Sequence, residues 1–232
     1  MAITALTVAM QSFALQSTAP TLKDGFYVGI DGGVSHSQAT LDHSHKSQKL
    51  KYNDHFRHTN NMPILGFIIG YGRRYYDNYF GVEMQGHGYS DNKNQQSVQF
   101  QGPPTTTDMS NFELDKSLSL LLVYGRYLSK RILLLTQAGI TAAHINNTTT
   151  TTTTSHGKKS DPYVFYNQSS WLKGFKLGAG IQVALTSHIS GRVMLDYNDY
   201  KQKQYTFNNK MSTNDHFRLQ TQSLTAGLIY TF

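Results

Sequence analysis

The sequence predicts an all-β fold: an eight-stranded antiparallel up-and-down transmembrane β-barrel with four long extracellular loops and three short periplasmic turns. Three observations predict it. A hydrophobic period of two recurs from Gly25 onward, the polar connections alternate between long and short, and the composition joins 15 Tyr and 12 Phe to only 15% charged residues. Period two marks strands whose two faces meet different surroundings. A water-soluble domain carries about a quarter charged residues, whereas a barrel wall in lipid needs few charges and an aromatic girdle at each boundary.

Other classes fall away on bulk properties. Mean hydropathy is negative, and no window approaches the roughly 18 continuous apolar residues of a membrane helix. Any crossing must then be by closed sheet. The absence of Cys excludes disulfides, thiolate metal sites and Cys nucleophiles.

Residues 1–20 are apolar and small, with Ala14 and Ala19 as candidate cleavage positions, and read as a signal-peptide-like segment that lacks a basic start. The barrel domain is expected over residues 25–232. Strands are expected at 26–40, 64–74, 79–89, 114–128, 132–145, 171–185, 189–200 and 223–232. In the sixth, Trp171, Phe175, Leu177, Ala179, Ile181 and Val183 alternate with Gly174, Lys176, Gly178, Gly180 and Gln182. In the last, Leu224, Ala226, Leu228, Tyr230 and Phe232 form the greasy column. Short turns fall near 75–78, 129–131 and 186–190. Long polar segments fall at 41–62, 90–113, 146–170 and 201–216, and the threonine run 148–154 reads as a solvated loop.

The two faces are assigned by what else they carry. Asp31, Arg74, Glu83, Asp115, Lys176, Arg192 and Asp196 share the less greasy face with strand glycines. In a lumen these charges can pair and the glycines relieve crowding, while a lone buried charge would be costly. Aromatics near strand ends, Tyr27, Tyr79, Tyr89, Tyr127 and Tyr200 among them, suit interfacial belts.

Three stretches resemble the small outer-membrane β-barrel proteins, the opacity-type proteins and the barrel domain of outer-membrane protein A. They are Gly25-Phe-Tyr-Val-Gly-Ile-Asp-Gly-Gly-Val34, then Gly66-Phe-Ile-Ile-Gly-Tyr-Gly72 turning over Asp77-Asn78 into Tyr79-Phe-Gly-Val-Glu83, and the final strand with Leu228, Tyr230 and Phe232. The resemblance implies a bacterial outer-membrane location with periplasmic termini. It also implies that Leu228, Tyr230 and Phe232 are read by the barrel-assembly machinery, and that no peptidoglycan-binding module follows Phe232.

An eight-stranded lumen is filled by side chains, so function is expected on the loops. Lys46, Lys49, Lys51 and Arg57 in the first, and Lys201, Lys203, Tyr205, Lys210 and Arg218 in the fourth, interleave basic and aromatic groups. Together with a net charge of +7 they suit lipopolysaccharide phosphates, sulfated glycans or a host-cell surface. Nucleic acid is not expected as a partner, and the chain is expected to be a monomer without cofactor.

His43 and His45 are weak candidates for a metal site. No catalytic residues are assigned. The alternative, a lipid A-modifying enzyme, needs a base and a nucleophile at the outer rim. Ser35-His36, His43-Ser44, Ser155-His156, Ser187-His188 and His87 beside Tyr89 or Asp91 are poor matches. The remaining alternative is a soluble lipocalin-like carrier, which would turn its apolar face inward.

Overall fold

The computed structural model describes the backbone of residues 20–47, 50–90, 95–100, 105–155, 158–159, 163–201 and 213–232, with side chains assigned through most of the wall. Eight strands form that wall: β1 (Gly25–Ser47), β2 (Leu50–Tyr75), β3 (Asn78–Tyr89), β4 (Thr105–Tyr127), β5 (Ile132–Ser155), β6 (Tyr163–Ala184), β7 (Ile189–Lys201) and β8 (Thr213–Thr231). Two short strands, Gln95–Phe100 and Lys158–Lys159, pair onto the far ends of β4 and β5. Each wall strand pairs antiparallel with the next. The ring closes where β1 meets β8, from Tyr27 opposite Thr231 to His45 opposite Thr213.

The three tight connections lie where the sequence puts them. Between β2 and β3, Tyr76 adopts a left-handed backbone (φ 55°), a conformation disfavoured for a bulky side chain. Arg74 holds it by donating from Nε to the Tyr76 carbonyl at 2.6 Å and pairing with Asp77 at 3.6 Å.

At the opposite end the long connections continue as paired strand. The first hairpin stays in register to Ser47 opposite Leu50. The threonine run, expected as an open loop, belongs to β5, with Thr148 opposite Asn111 and Thr154 opposite Thr105. β-Branched threonine favours extended backbone, so a hairpin anchored in the wall extends outward. β4 has 23 residues, while a crossing takes about 9–11. Much of each long hairpin therefore stands clear of any bilayer.

Alternation sorts the side chains between two surroundings. Outward lie Ile30, Val34, Leu65, Phe67, Leu120, Leu122, Ile140, Leu177, Leu195 and Leu228, all exposed. This is the reverse of a soluble carrier barrel, whose apolar face turns inward. Phe26, Tyr71, Phe80, Tyr124, Tyr230 and Phe232 gather at the short-turn end. Phe26 meets Tyr71 at 4.9 Å, Phe80 meets Tyr124 at 5.4 Å and Tyr230 meets Phe232 at 5.1 Å between ring centroids. They form a girdle of the kind that marks a membrane boundary.

Five tyrosines expected in the belts point the other way. Tyr27, Tyr79, Tyr127 and Tyr200 are buried and Tyr89 is half-buried, all packed in the interior. Their position at strand ends is right, but strand parity sends the rings inward.

The interior has three levels. Tyr27, Ile68, Ile229, Tyr79, Val123, Tyr127, Leu133, Leu135 and Met194 fill the short-turn end. Met62, Leu114, Ala143, Ile145, Leu172, Tyr200 and Leu219 fill the hairpin end. Ionisable and amide side chains occupy the level between.

Two glycines make the lower level fit. A Cβ on Gly70 would overlap the Tyr27 ring, and one on Gly72 would overlap Tyr79. Bare backbone thus gives each ring a surface to lie on. Replacing Gly70→Val should displace Tyr27 and destabilise the barrel by about 1–3 kcal/mol, the usual range for overpacking. Gly32→Val, where an added Cβ meets atoms only at 3.5 Å and beyond, should change little. Urea midpoints of the two variants in detergent micelles check this.

Candidate functional site

Strand parity and register converge on one polar cluster. Inward positions of β1, β3, β5, β6 and β7 carry Asp31, Glu83, Gln85, His87, Gln137, Lys176, Gln182, Arg192 and Asp196, all buried. Glu83 is the hub. Arg192 Nη1 donates to its Oε2 at 2.6 Å, Tyr27 Oη donates to the same oxygen at 2.8 Å, and Gln85 donates to Oε1. Lys176 Nζ donates to Gln85 Oε1 at 2.5 Å and lies 3.2 Å from Asp196 Oδ2. Gln137 donates to Asp196 Oδ1 at 2.5 Å, and Arg192 Nε donates to Gln182 at 3.0 Å.

These contacts satisfy charges that would otherwise be costly in a low-dielectric interior. Glu83 pairs with Arg192 and Asp196 with Lys176, while Asp31 lies 3.1 Å from His87 Nε2. The space bordered by Asp31, Gln85, Arg192, Asp196 and Thr225 is too narrow for a water molecule. With apolar layers on either side, the described side chains fill the barrel rather than line a passage.

Asp31, Glu83, Lys176, Arg192 and Asp196 are thus in the interior. Arg74 and Asp115 are not. Arg74 is drawn to the β2–β3 turn, where its guanidinium also covers the Tyr127 ring at 4.3 Å. Asp115 is the extra residue of a β-bulge between Leu114 and Lys116. That extra residue breaks the alternation, so Asp115 lies half-exposed on the outer face, 3.3 Å from His144 and 3.7 Å from Lys116. His144 in turn packs on Trp171 at 5.1 Å.

The candidate base and nucleophile pairs separate for the same geometric reason. Ser35 faces inward to Ser223 at 3.0 Å, while its neighbour His36 faces outward to Asn61 at 2.7 Å. Consecutive strand residues point to opposite faces, so this pair cannot act together. Ser187 Oγ does lie 3.0 Å from His188 Nδ1, on the exposed β6–β7 turn. His87 meets Asp31 at 3.1 Å and sits opposite Ser117 in register. Ser117 is engaged by Tyr89 Oη at 3.1 Å, and the group lies beneath the Met62, Leu172 and Tyr200 layer. His43-Ser44, Ser155-His156 and Asp91 have no described side chains. No group of three or more metal-ligating side chains occurs among the described residues.

Of the surface-contact residues, Lys201 is described and exposed. The side chains of Lys46, Lys49, Lys51, Arg57, Lys203, Tyr205 and Lys210, and those of His43 and His45, lie outside the described residues. The register adds one cation that the sequence reading missed, Lys173, and aligns it with Lys201 and Arg218. Lys173 on β6 is opposite Lys201 on β7, which is opposite Arg218 on β8. All three are exposed and lie beyond the apolar band at the hairpin end. Arg218 covers the buried Asp199 with two hydrogen bonds of 2.9 and 2.6 Å.

Residues 2–232 match the sequence profile of the outer membrane protein beta-barrel domain. The chain belongs to that family. As an outer membrane protein beta-barrel domain, it places its apolar exterior in the bacterial outer membrane, with strands and not helices crossing the bilayer. No curated protein matches its sequence.

Among solved structures it is similar to Neisserial surface protein A, at 17% identity and a TM-score of 0.42, over 90% of this chain and 97% of that one. Ail, the attachment invasion locus protein of Yersinia pestis, is 14% identical with a TM-score of 0.37, over 90% and 100%. OprG from Pseudomonas aeruginosa is 14% identical with a TM-score of 0.47, over 93% and 100%. At these identities the likeness concerns the fold alone.

The interior pair gives a direct stability test. Glu83→Ala leaves Arg192 charged and buried, and should cost about 3–5 kcal/mol. The double variant Glu83→Met with Arg192→Met should lose less than the sum of its two single changes. A double-mutant cycle from urea unfolding of the detergent-refolded barrel measures both.

Proposed function

We propose that this outer-membrane barrel is a surface-contact protein. Its long hairpins face the exterior, and its basic rim engages anionic saccharide groups, either lipopolysaccharide phosphates or sulfated glycans. The observation that carries the reading is the row Lys173, Lys201 and Arg218. Neighbouring strands stand about 4.8 Å apart, so the register sets three cations side by side on one outer surface. Like charges placed directly opposite are unfavourable on their own. An external anion relieves that repulsion, and one with several charges relieves it most. Asp199 neutralises part of the Arg218 charge, leaving Lys173 and Lys201 as the principal contacts.

The filled interior supports the same division of labour, because it leaves the rims and hairpins as the surfaces on which partners can act. Lys46, Lys49, Lys51, Arg57, Lys203, Tyr205 and Lys210 join this contact surface by their place in the sequence, within its first and fourth long polar segments. No catalytic role is assigned to the barrel. Residues 1–20 serve as the export signal and residues 25–232 as a monomeric barrel. The short-turn end, with both ends of the barrel chain, faces the periplasm.

Lys173→Glu with Lys201→Glu should lower the salt concentration at which the refolded barrel elutes from immobilised heparin, and weaken its binding to lipopolysaccharide aggregates. Both contacts are exposed electrostatic ones that salt screens. Unfolding midpoints should match wild type within about 0.5 kcal/mol, as for most surface changes. Equal elution of variant and wild type would show that the row is not a contact site.

The final strand supports a role in assembly. Leu228, Tyr230 and Phe232 point outward in one column, and the Phe232 amide donates to the Phe26 carbonyl at 3.1 Å. Deleting Phe232 should reduce the amount of barrel recovered in outer-membrane fractions, with little change in heparin binding by the fraction that inserts. Heat-dependent gel mobility of the membrane fraction measures the first effect.

A further inference from the structure

The outer face is not evenly greasy. Along β5, Thr136 and Ala138 present small side chains, while Leu122 and Tyr124 on β4 and Leu177 on β6 stand beside them. Leu122 is opposite Ala138, Ala138 is opposite Leu177, and Tyr124 is opposite Thr136. The result is a furrow of about 690 Å³, bordered further by Phe80 on β3. Its β4 and β6 walls stand two strand spacings apart, about 10 Å. Once side-chain thickness is subtracted, this leaves the width of a single hydrocarbon chain.

The furrow runs down to a cluster of unpaired cations. Arg126 follows Tyr124 by two residues on the same outer face, opposite Leu134. Lys130 lies in the turn that joins β4 to β5. Both are exposed, and neither side chain makes a hydrogen bond or ion pair among the described residues. Lys23, Arg73, Arg74 and Arg131 lie at the same end, against Asp24 and Asp77, and Asp77 is already engaged by Arg74.

We propose that this surface is a specific site for an anionic glycerophospholipid, with one acyl chain over Thr136 and Ala138 and the phosphate between Arg126 and Lys130. Two features of the surface select this occupant. The furrow lies on the lipid-facing wall beside the girdle residues Phe80 and Tyr124, so a hydrocarbon chain is what it meets. The cations at its foot complement a negative headgroup at the height where headgroups begin. The assignment of the lipid to the periplasmic leaflet rests on the orientation given above. The site itself does not.

Native mass spectrometry of the full chain, released from detergent and titrated with phosphatidylglycerol or phosphatidylcholine of identical acyl chains, tests the site. Phosphatidylglycerol should bind about thirtyfold more tightly, the scale set by two juxtamembrane cations. Arg126→Gln with Lys130→Gln should erase that preference. Ala138→Leu should weaken both lipids by filling the furrow, while heat-dependent gel mobility reports that the barrel has folded. If Ala138→Leu does not fold, the exposed Gln pair decides the outcome alone. Equal binding of the two lipids by wild type overturns the proposal, as does a preference that survives the Gln pair. A dimer that Ala138→Leu dissolves would also overturn it, by assigning the furrow to a second copy of the chain. Orientation is read separately, from surface labelling of a cysteine placed at Thr186. Inverted labelling would move the site to the other leaflet without changing its headgroup preference.

Discussion

Closure of the hydrogen-bonded ring is the constraint on which the other features rest. In hydrocarbon an unpaired backbone amide has no water to turn to, and a sheet of eight strands would leave two long edges unpaired. The β1–β8 seam removes both, running from Tyr27 opposite Thr231 to His45 opposite Thr213. Closure also fixes parity, because a ring admits no free choice of which face turns inward. Val28 must face lipid if Tyr27 is to face the lumen, and the same holds on every strand around the ring.

Fixed parity explains the character of the interior. An eight-stranded ring encloses little more than side chains, so inward residues must fit one another across the barrel as well as along it. Aromatic rings occupy the lower level because Gly70 and Gly72 give them backbone to lie on. Charged groups occupy the middle, where Glu83, Gln85, Lys176, Arg192 and Asp196 complete one another's hydrogen bonds from three different strands. Apolar side chains above and below exclude water from that network. The exclusion strengthens each contact within it and raises the cost of losing one.

The strands and their faces were legible in the sequence because period two survives wherever lipid and lumen differ. Asp31, Glu83, Lys176, Arg192 and Asp196 could be placed from alternation alone. Their partners could not, since pairing across a barrel depends on stagger between strands far apart in the chain. Asp115 was misplaced because one inserted residue at a bulge reverses parity without leaving a composition signal. Arg74 was misplaced because a left-handed Tyr76 creates a local acceptor that outcompetes the lumen. The extended hairpins were read as loops because above the membrane both faces are polar and period two disappears, although the threonines keep their preference for extended backbone. The Lys173, Lys201 and Arg218 row spans three strands and exists only through register.

The distribution of charge follows from the same architecture. The interior network holds three carboxylates and two permanent cations, so the chain's excess of positive charge is displayed elsewhere. Among the described residues, Lys23, Arg73, Arg74, Arg126, Lys130 and Arg131 lie at the short-turn end with Asp24 and Asp77, a net +4. Lys173, Lys201 and Arg218 stand beyond the apolar band at the other end, where Asp199 takes up part of the Arg218 charge. Negatively charged headgroups attract such residues at a membrane surface by about 1 kcal/mol each within a Debye length. A barrel that is basic at both rims is drawn toward the headgroups on both sides. Hydrophobic matching keeps the wall in the bilayer, and the opposed rims set its depth.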